Sequence, residues 1–342
     1  MASGSHMNRR IVLAARPEGV PKESDFRLEE SLVSEPRDGE FLVQAEFLSV
    51  DPYMRSRMND RVSYADPVEL GDIMVGESVG RVIQSRHKKY PEGHYVSGMF
   101  GWQQYAVSSG EGVRRIAPDG APISTALHVL GMPGLTAFFG LTDVCQAKEG
   151  ETVAVSAAAG AVGSVVGQLA KIIGCRVVGV AGSDEKIDYI TGELGCDAAW
   201  NYKSTDDYHT AFRDMCPSGI DVYFDNVGGP VSDAVFPRLN VGARVAICGQ
   251  ISQYNATEAP QGPRLFWHLI VKRATVRGFL VFDFAPRYQE ALQQLQRWYA
   301  DGRLKCRERI TDGIENAPQA FMEMLEGANI GKQLVRLCPA ST

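Results

Sequence analysis

One stretch of this chain leaves little choice about what it can fold into. An apolar run from Glu151 to Ala157 leads into Ala157-Ala158-Ala159-Gly160-Ala161-Val162-Gly163, a turn of the form A-x-x-G-x-x-G. Beyond it Val162, Val165, Val166, Leu169, Ile172 and Ile173 recur at helical spacing, Gly174 stands at a C-cap position, and a second apolar run spans Arg176 to Ala181. The pattern predicts strand, turn, amphipathic helix and strand. Such a turn suits a pyrophosphate. Gly160 lets the backbone approach it, and Gly163 lets helix and strand pack closely. The helix start at Ala161 and Val162 offers N–H donors and partial positive charge. A glycine-rich turn alone says little, because loops are rich in glycine. Its place between strand and helix carries the dinucleotide reading.

The end of the second strand selects the dinucleotide. A site for NAD puts Asp or Glu there, on the ribose 2′-hydroxyl. This chain has Ala181-Gly182-Ser183, with Asp184, Glu185 and Lys186 opening the next helix. With Ser183 as N-cap, Lys186 falls at N3, where a cation opposes the helix dipole at a cost of about 0.3–1 kcal/mol. A 2′-phosphate reverses that sign. The plain alternative is a solvated lysine in a surface turn. The expectation is NADP(H).

Further strands are predicted near 198–200, 221–225, 244–248 and 275–281, a βαβ series and hence a parallel doubly wound sheet. The first third reads differently. Segments such as Phe41 to Leu48 alternate imperfectly, and Pro36, Gly39, Pro52, Gly71, Gly76, Gly80, Gly93 and Gly98 punctuate it, as in a compact barrel of short strands. A length of 342 residues suits two domains. The expected division is 8–130 with 306–342 as one domain and 131–305 as the other, with residues 1–7 an expression-tag scar.

Charge and composition exclude several classes. A net charge of −6 and a pI near 5.6 oppose binding to nucleic acid or an anionic membrane. The most apolar stretch, Val153 to Ile173, is interrupted by Gly160, Gly163, Gly167, Gln168 and Lys171, so it does not read as a membrane span. No secretion signal is visible, and the seven cysteines are odd in number and widely spaced. Reduced thiols in a cytoplasmic protein fit that pattern.

Seven segments together resemble a known family: Ser49 to Arg55, Ala157 to Ser164, Ala181 to Lys186, Asn201 to Lys203, Phe224 to Gly229, Cys248 to Asn255 and Asn329 to Lys332. The chain is similar to the leukotriene hydroxydehydrogenase/prostaglandin reductase and alkenal double-bond reductase branch of the medium-chain dehydrogenase/reductase superfamily, and most of all to its bacterial curcumin-reductase type. The resemblance implies an α/β architecture, with a GroES-like β-barrel catalytic domain and a Rossmann domain. It implies that Lys186 and Tyr202 bind the 2′-phosphate and that Asn226 and Gly249 line the cofactor. Asn329 would lie near the nicotinamide, and Tyr254 near the nicotinamide ribose and the substrate carbonyl. It also implies a homodimer paired through the strand at Ala274–Leu280. Tyr53 and Tyr64 are candidate substrate contacts, although a loop tyrosine is commonly a packed ring with a hydrogen-bonded tip.

The superfamily's zinc enzymes use an early Cys, a Gly-His-Glu segment and a later Cys or carboxylate. Here no cysteine precedes Cys145, Ser49-Val50-Asp51 occupies the region of the first ligand, and Val75-Gly76-Glu77 stands where Gly-His-Glu would be. No metal is expected. Without a Lewis acid, reducing a conjugated alkene is more accessible than oxidising an alcohol. Hydride goes to the β-carbon, a tyrosine hydroxyl supports the enolate oxygen, and Tyr or water protonates the α-carbon. The expected substrate is a small enone or enal. A quinone reductase of the same superfamily is the rival reading, and a non-enzymatic structural or RNA-binding role is a second.

Overall fold

The computed structural model describes residues 7–117 and 120–338, so the expected tag, Met7 apart, lies outside the described residues. The chain forms two compact units, residues 1–127 with 308–342, and residues 128–307. These borders differ from the 130/131 and 305/306 expected, for a local reason. The His128 ring is hydrogen-bonded to Ala161, and Arg307 pairs with Glu185, so both residues belong to the second unit.

The first unit opens with β1 (Met7–Leu13), β2 (Phe26–Leu32), β3 (Phe41–Ser49), helix α1 (Tyr53–Arg57), β4 (Ser78–Ser85), β5 (Tyr95–Gly98), β6 (Tyr105–Ser108) and β7 (Arg114–Ile116). β1 and β2 pair antiparallel, and β3 is the hub of the main sheet, antiparallel to both β4 and β6.

The second unit begins with α2 (Met132–Phe139), then alternates β8 (Thr152–Ser156), α3 (Ala161–Ile173), β9 (Arg176–Ala181), α4 (Asp184–Asp188), β10 (Ala198–Asn201), α5 (Tyr208–Met215), β11 (Ile220–Asp225), α6 (Gly229–Val235), β12 (Leu239–Ile247), α7 (Phe266–Lys272), β13 (Thr275–Gly278) and α8 (Tyr288–Ala300). Its strands lie in the order β10-β9-β8-β11-β12-β13, all parallel. Every residue of β8 is buried, as a strand with helices on both faces must be. α3 stops at Gly174, whose φ of 98° is left-handed. β13 is the edge strand, as expected, but it ends at Gly278 rather than 281, because the chain turns into a 3-10 segment at Val281–Arg287.

The tail returns to the first unit as β14 (Glu308–Asp312), α9 (Ala317–Leu325) and β15 (Lys332–Arg336). β15 runs antiparallel to β3 and parallel to β14. α9 places Phe321 against Trp102, which stacks on Phe26 at 5.7 Å, so segments far apart in the chain share one aromatic core.

Candidate active site

In open parallel sheets ligands bind beyond the carboxyl ends of the strands, where strand order reverses. Here that point lies between β8 and β11. The turn Ala157–Gly163 leaves β8 there and is tightly wound: Gly160 N–H donates to Ala157 O at 2.9 Å. A Cβ on Gly163 would sit 2.2 Å from that same oxygen, so only glycine fits. Ala157 itself holds a left-handed φ of 50°, a strained conformation for a residue with a Cβ.

At the end of β9, Ser183 caps α4 and its side chain accepts the Lys186 N–H at 3.3 Å, which puts Lys186 at N3. Tyr202 follows β10 and lies across Gly182, where a Cβ would be 2.9 Å from its ring. Gly182, Ser183, Lys186 and Tyr202 thus come together. The half-buried Lys186 ammonium is pushed below its ordinary value by enclosure and then by the neighbouring Lys203 cation. A lysine at a helix N-terminus with a second cation near enough to act on it is an arrangement able to hold a doubly charged anion.

At the end of β11 stands a group that sequence reasoning passed over. Asp225 is buried, and its Oδ1 accepts from Ser156 Oγ (3.0 Å), Tyr223 Oη (3.0 Å), Val227 N (3.0 Å) and Gly228 N (2.9 Å). Its Oδ2 accepts from Ser232 Oγ at 2.7 Å and Gln250 Nε2 at 3.2 Å. One carboxylate therefore ties the ends of β8, β11 and β12 together. An aspartate closing the apolar strand Ile220–Asp225 was the available signal. Asn226 Nδ2 donates to Ser156 O at 2.8 Å, which fixes Asn226 at the switch point.

Tyr254 follows a 3-10 turn, Ile251–Gln253, and is half-buried. Its hydroxyl accepts the Gln250 N–H at 3.3 Å and would lie 3.2 Å from a Cβ on Gly249. Asn226, Gly249 and Tyr254 therefore form one surface beyond β11 and β12. A phenol has two lone pairs and one proton, and the Gln250 amide engages a lone pair.

The first unit holds the remaining candidates. Tyr53 opens α1, half-buried, with its hydroxyl 4.0 Å from Met99 Sδ. Burial, reinforced by the Asp51 and Glu77 carboxylates, pushes its phenol well above the ordinary range, so it stays protonated. Tyr64 is 50% exposed in the loop after α1. Asn329 precedes β15 and donates from Nδ2 to Gly331 O at 2.7 Å.

Behind Tyr53 lies a buried polar cluster that the sequence did not reveal. The Lys332 ammonium is fully buried and donates to Val50 O at 2.7 Å and Asp51 Oδ1 at 2.9 Å. Asp51 Oδ2 accepts a short hydrogen bond from Ser49 Oγ. Nearby, Ser97 Oγ donates to Glu77 Oε1 at 2.5 Å, and burial raises the Glu77 carboxyl above its usual range. This is the region where a zinc enzyme of the resembled superfamily would carry thiol and imidazole ligands. The groups present are hydroxyls, carboxylates and an ammonium already paired with Asp51, a donor set that does not suit tetrahedral zinc.

Family models match the chain twice, as an N-terminal domain of oxidoreductase over residues 9–116 and as a zinc-binding dehydrogenase over residues 161–297. The NADPH-dependent curcumin reductase of Escherichia coli is 46% identical, over 98% of this chain and 99% of its own. The NADP(+)-dependent 2-alkenal reductase of Nicotiana tabacum is 40% identical over 96% of this chain and 97% of its own. The crystal structure of CurA in complex with NADPH from Vibrio vulnificus superposes with a TM-score of 0.93 at 46% identity, covering 96% of this chain and 99% of that one.

Proposed function

This chain belongs to the medium-chain dehydrogenase/reductase superfamily, in the branch of the NADP-dependent curcumin, prostaglandin and 2-alkenal reductases, and from that premise we propose that it reduces the carbon–carbon double bond of α,β-unsaturated ketones and aldehydes. It is an oxidoreductase with NADP(H) as its cofactor. The observation that carries the enone reading is the placement of Tyr254, whose hydroxyl is held by the Gln250 amide on the surface shared with Asn226 and Gly249.

Bound NADPH supplies the hydride for the β-carbon. Gly160, Ala161, Val162 and Gly163 would hold its pyrophosphate, and Lys186, Ser183 and Tyr202 its 2′-phosphate. Tyr254 donates to the enolate oxygen as charge develops there. Tyr53 and Tyr64 bind the substrate, and the raised Tyr53 phenol favours a neutral hydrogen-bond donor over an acid. The α-carbon takes its proton from a phenol or from water. The Asp51–Lys332 pair supports a reaction without zinc, since an ammonium and its counter-ion occupy the region of the first metal ligand.

The proposed assembly is a cytoplasmic homodimer. Among the described residues no helix is long and apolar enough to cross a membrane, and no disulfide joins the seven cysteines. β13 is an exposed edge, and α7 before it exposes Phe266, Trp267 and Ile270 at 79%, 68% and 67%. Edge strands need cover, and two copies related by a two-fold axis supply it.

The test is NADPH oxidation against short enals, aryl-alkenyl ketones, curcumin, prostaglandin-type enones and quinones, with products identified by mass. Saturated ketones or aldehydes are expected, in enzyme treated exhaustively with chelator. Turnover of quinones alone would select the quinone-reductase reading, and turnover of none would end the proposal.

A further inference from the structure

A further polar constellation in the second unit joins His128, Cys306 and the start of α3. His128 is fully buried, and its ring contacts Ala161 O through Nε2 at 3.0 Å and Cys306 Sγ through Nδ1 at 2.9 Å. A carbonyl oxygen only accepts, so Nε2 carries the proton. In the neutral ring Nδ1 is then an acceptor, and the Cys306 S–H donates to it. Thiol, base and a third group that fixes the base's tautomer thus stand in the relation that activates a nucleophile. The thiol is also held in place. Lys305 N–H donates to Gln168 Oε1 at 2.7 Å, and Gln168 Nε2 donates to Lys305 O at 3.1 Å, so an amide on α3 clamps the backbone next to Cys306. The cations beside Cys306 in sequence are engaged elsewhere, Lys305 Nζ donating to Glu193 O at 2.7 Å and Arg307 pairing with Glu185 at 3.5 Å, so the activation is assigned to His128. Cys306 is partly exposed, whereas burial pushes the Cys145, Cys196 and Cys248 thiols up to about 12 and those of Cys175 and Cys216 to about 11.

We propose that Cys306 is a nucleophilic thiol, activated by His128, that captures soft electrophiles such as α,β-unsaturated carbonyls. Nδ1 takes the thiol proton, and sulfur forms a bond to the β-carbon. The π pair moves onto the carbonyl oxygen as an enolate, and the imidazolium returns the proton at the α-carbon. The addition consumes no oxidant or reductant. The adduct would sit next to the imidazole that holds Ala161, the first residue of α3, so it would report at the pyrophosphate turn.

The inference stands on geometry and does not depend on the enone being a substrate, so the primary probe is iodoacetamide, with acrolein as a short enal. Peptide mapping after brief treatment at pH 7 should find Cys306 labelled at least about tenfold faster than the partly exposed Cys338. Its rate should change less than about threefold between pH 6.5 and 8.5, where an unassisted thiol rises roughly tenfold per pH unit. His128→Gln keeps an N–H for the Ala161 carbonyl but removes the base, and should slow labelling at pH 7 at least about tenfold. Cys306→Ser should lose the label and keep NADPH oxidation, while labelled wild-type protein should bind NADPH at least about threefold more weakly. Labelling no faster than Cys338, or a rate climbing with pH like that of a free thiol, overturns the proposal whether or not His128→Gln folds. Unchanged NADPH binding in labelled protein overturns the link to the turn.

Discussion

The candidate residues of the two units are assembled by opposite means, locally in the second unit and over long range in the first. The turn proposed for the pyrophosphate and the pocket proposed for the 2′-phosphate come largely from contiguous pieces: Ala157–Gly163 is one turn, and Ser183 caps a helix that Lys186 joins three residues later. The cluster behind Tyr53 is closed by a bond between Asp51 and Lys332, 281 residues apart. The local half is set by residues close in sequence, with Tyr202 brought to Gly182 from the end of β10. The distant half exists only once β15 has paired with β3 and carried Lys332 into the first unit. The two halves should therefore fail differently when cut.

The largest effect is expected in the distant half. Lys332→Met leaves the Asp51 carboxylate buried without its cation, which should destabilise the protein by about 3–5 kcal/mol in urea unfolding. Adding Asp51→Asn to that variant should restore a large part of the loss, because the neutral amide needs no counter-ion. A Lys332→Met protein as stable as the parent would erase the contrast between the halves.

Tyr254→Phe sharpens the comparison within the second unit. If its hydroxyl supports the enolate, kcat on an enone should fall by about tenfold to a thousandfold, against the roughly 2.7–4 kcal/mol that a dominant donor contributes, while NADPH affinity holds. Tyr53→Phe and Tyr64→Phe should act mainly on KM. An unchanged kcat in Tyr254→Phe, with a large loss in either of the others, would move the donor role to the first unit.

Lys186→Ala tests the local half. Loss of one charge-assisted contact should weaken NADPH by about 1.5–3 kcal/mol and spare NADH and overall stability. The protonated amine is the form that binds phosphate, and Lys186 is already pushed down by enclosure and by Lys203. The preference for NADPH over NADH should thus be full at neutral pH and fade as pH rises through that lowered value. Equal KM values for the two cofactors in the parent enzyme would remove the pocket's purpose.

The smallest effect lies inside the turn. Ala157→Gly relieves a left-handed φ of 50° and should stabilise the protein by up to about 1 kcal/mol, less the extra chain entropy of glycine. A loss of stability on that change would mean that the Ala157 methyl packs in a way that outweighs its strain.

Much of this molecule was open to reading from residue order. The parallel sheet, the Ser183 cap and the Gly174 stop follow from periodicity and from groups within a few residues of each other, where backbone geometry alone sets the contact. The return of the tail to the first unit was readable through the resemblance. Other features were not legible in this way. Asp225 gathers donors from Ser156, Tyr223, Ser232 and Gln250, Lys332 finds Asp51, and Cys306 finds His128 across 178 residues. A buried charge or an oriented imidazole acquires its chemistry from partners that only the folded chain supplies. In the sequence each is one polar residue among many, because desolvation and pairing are properties of the packed interior and leave no periodic mark on the chain.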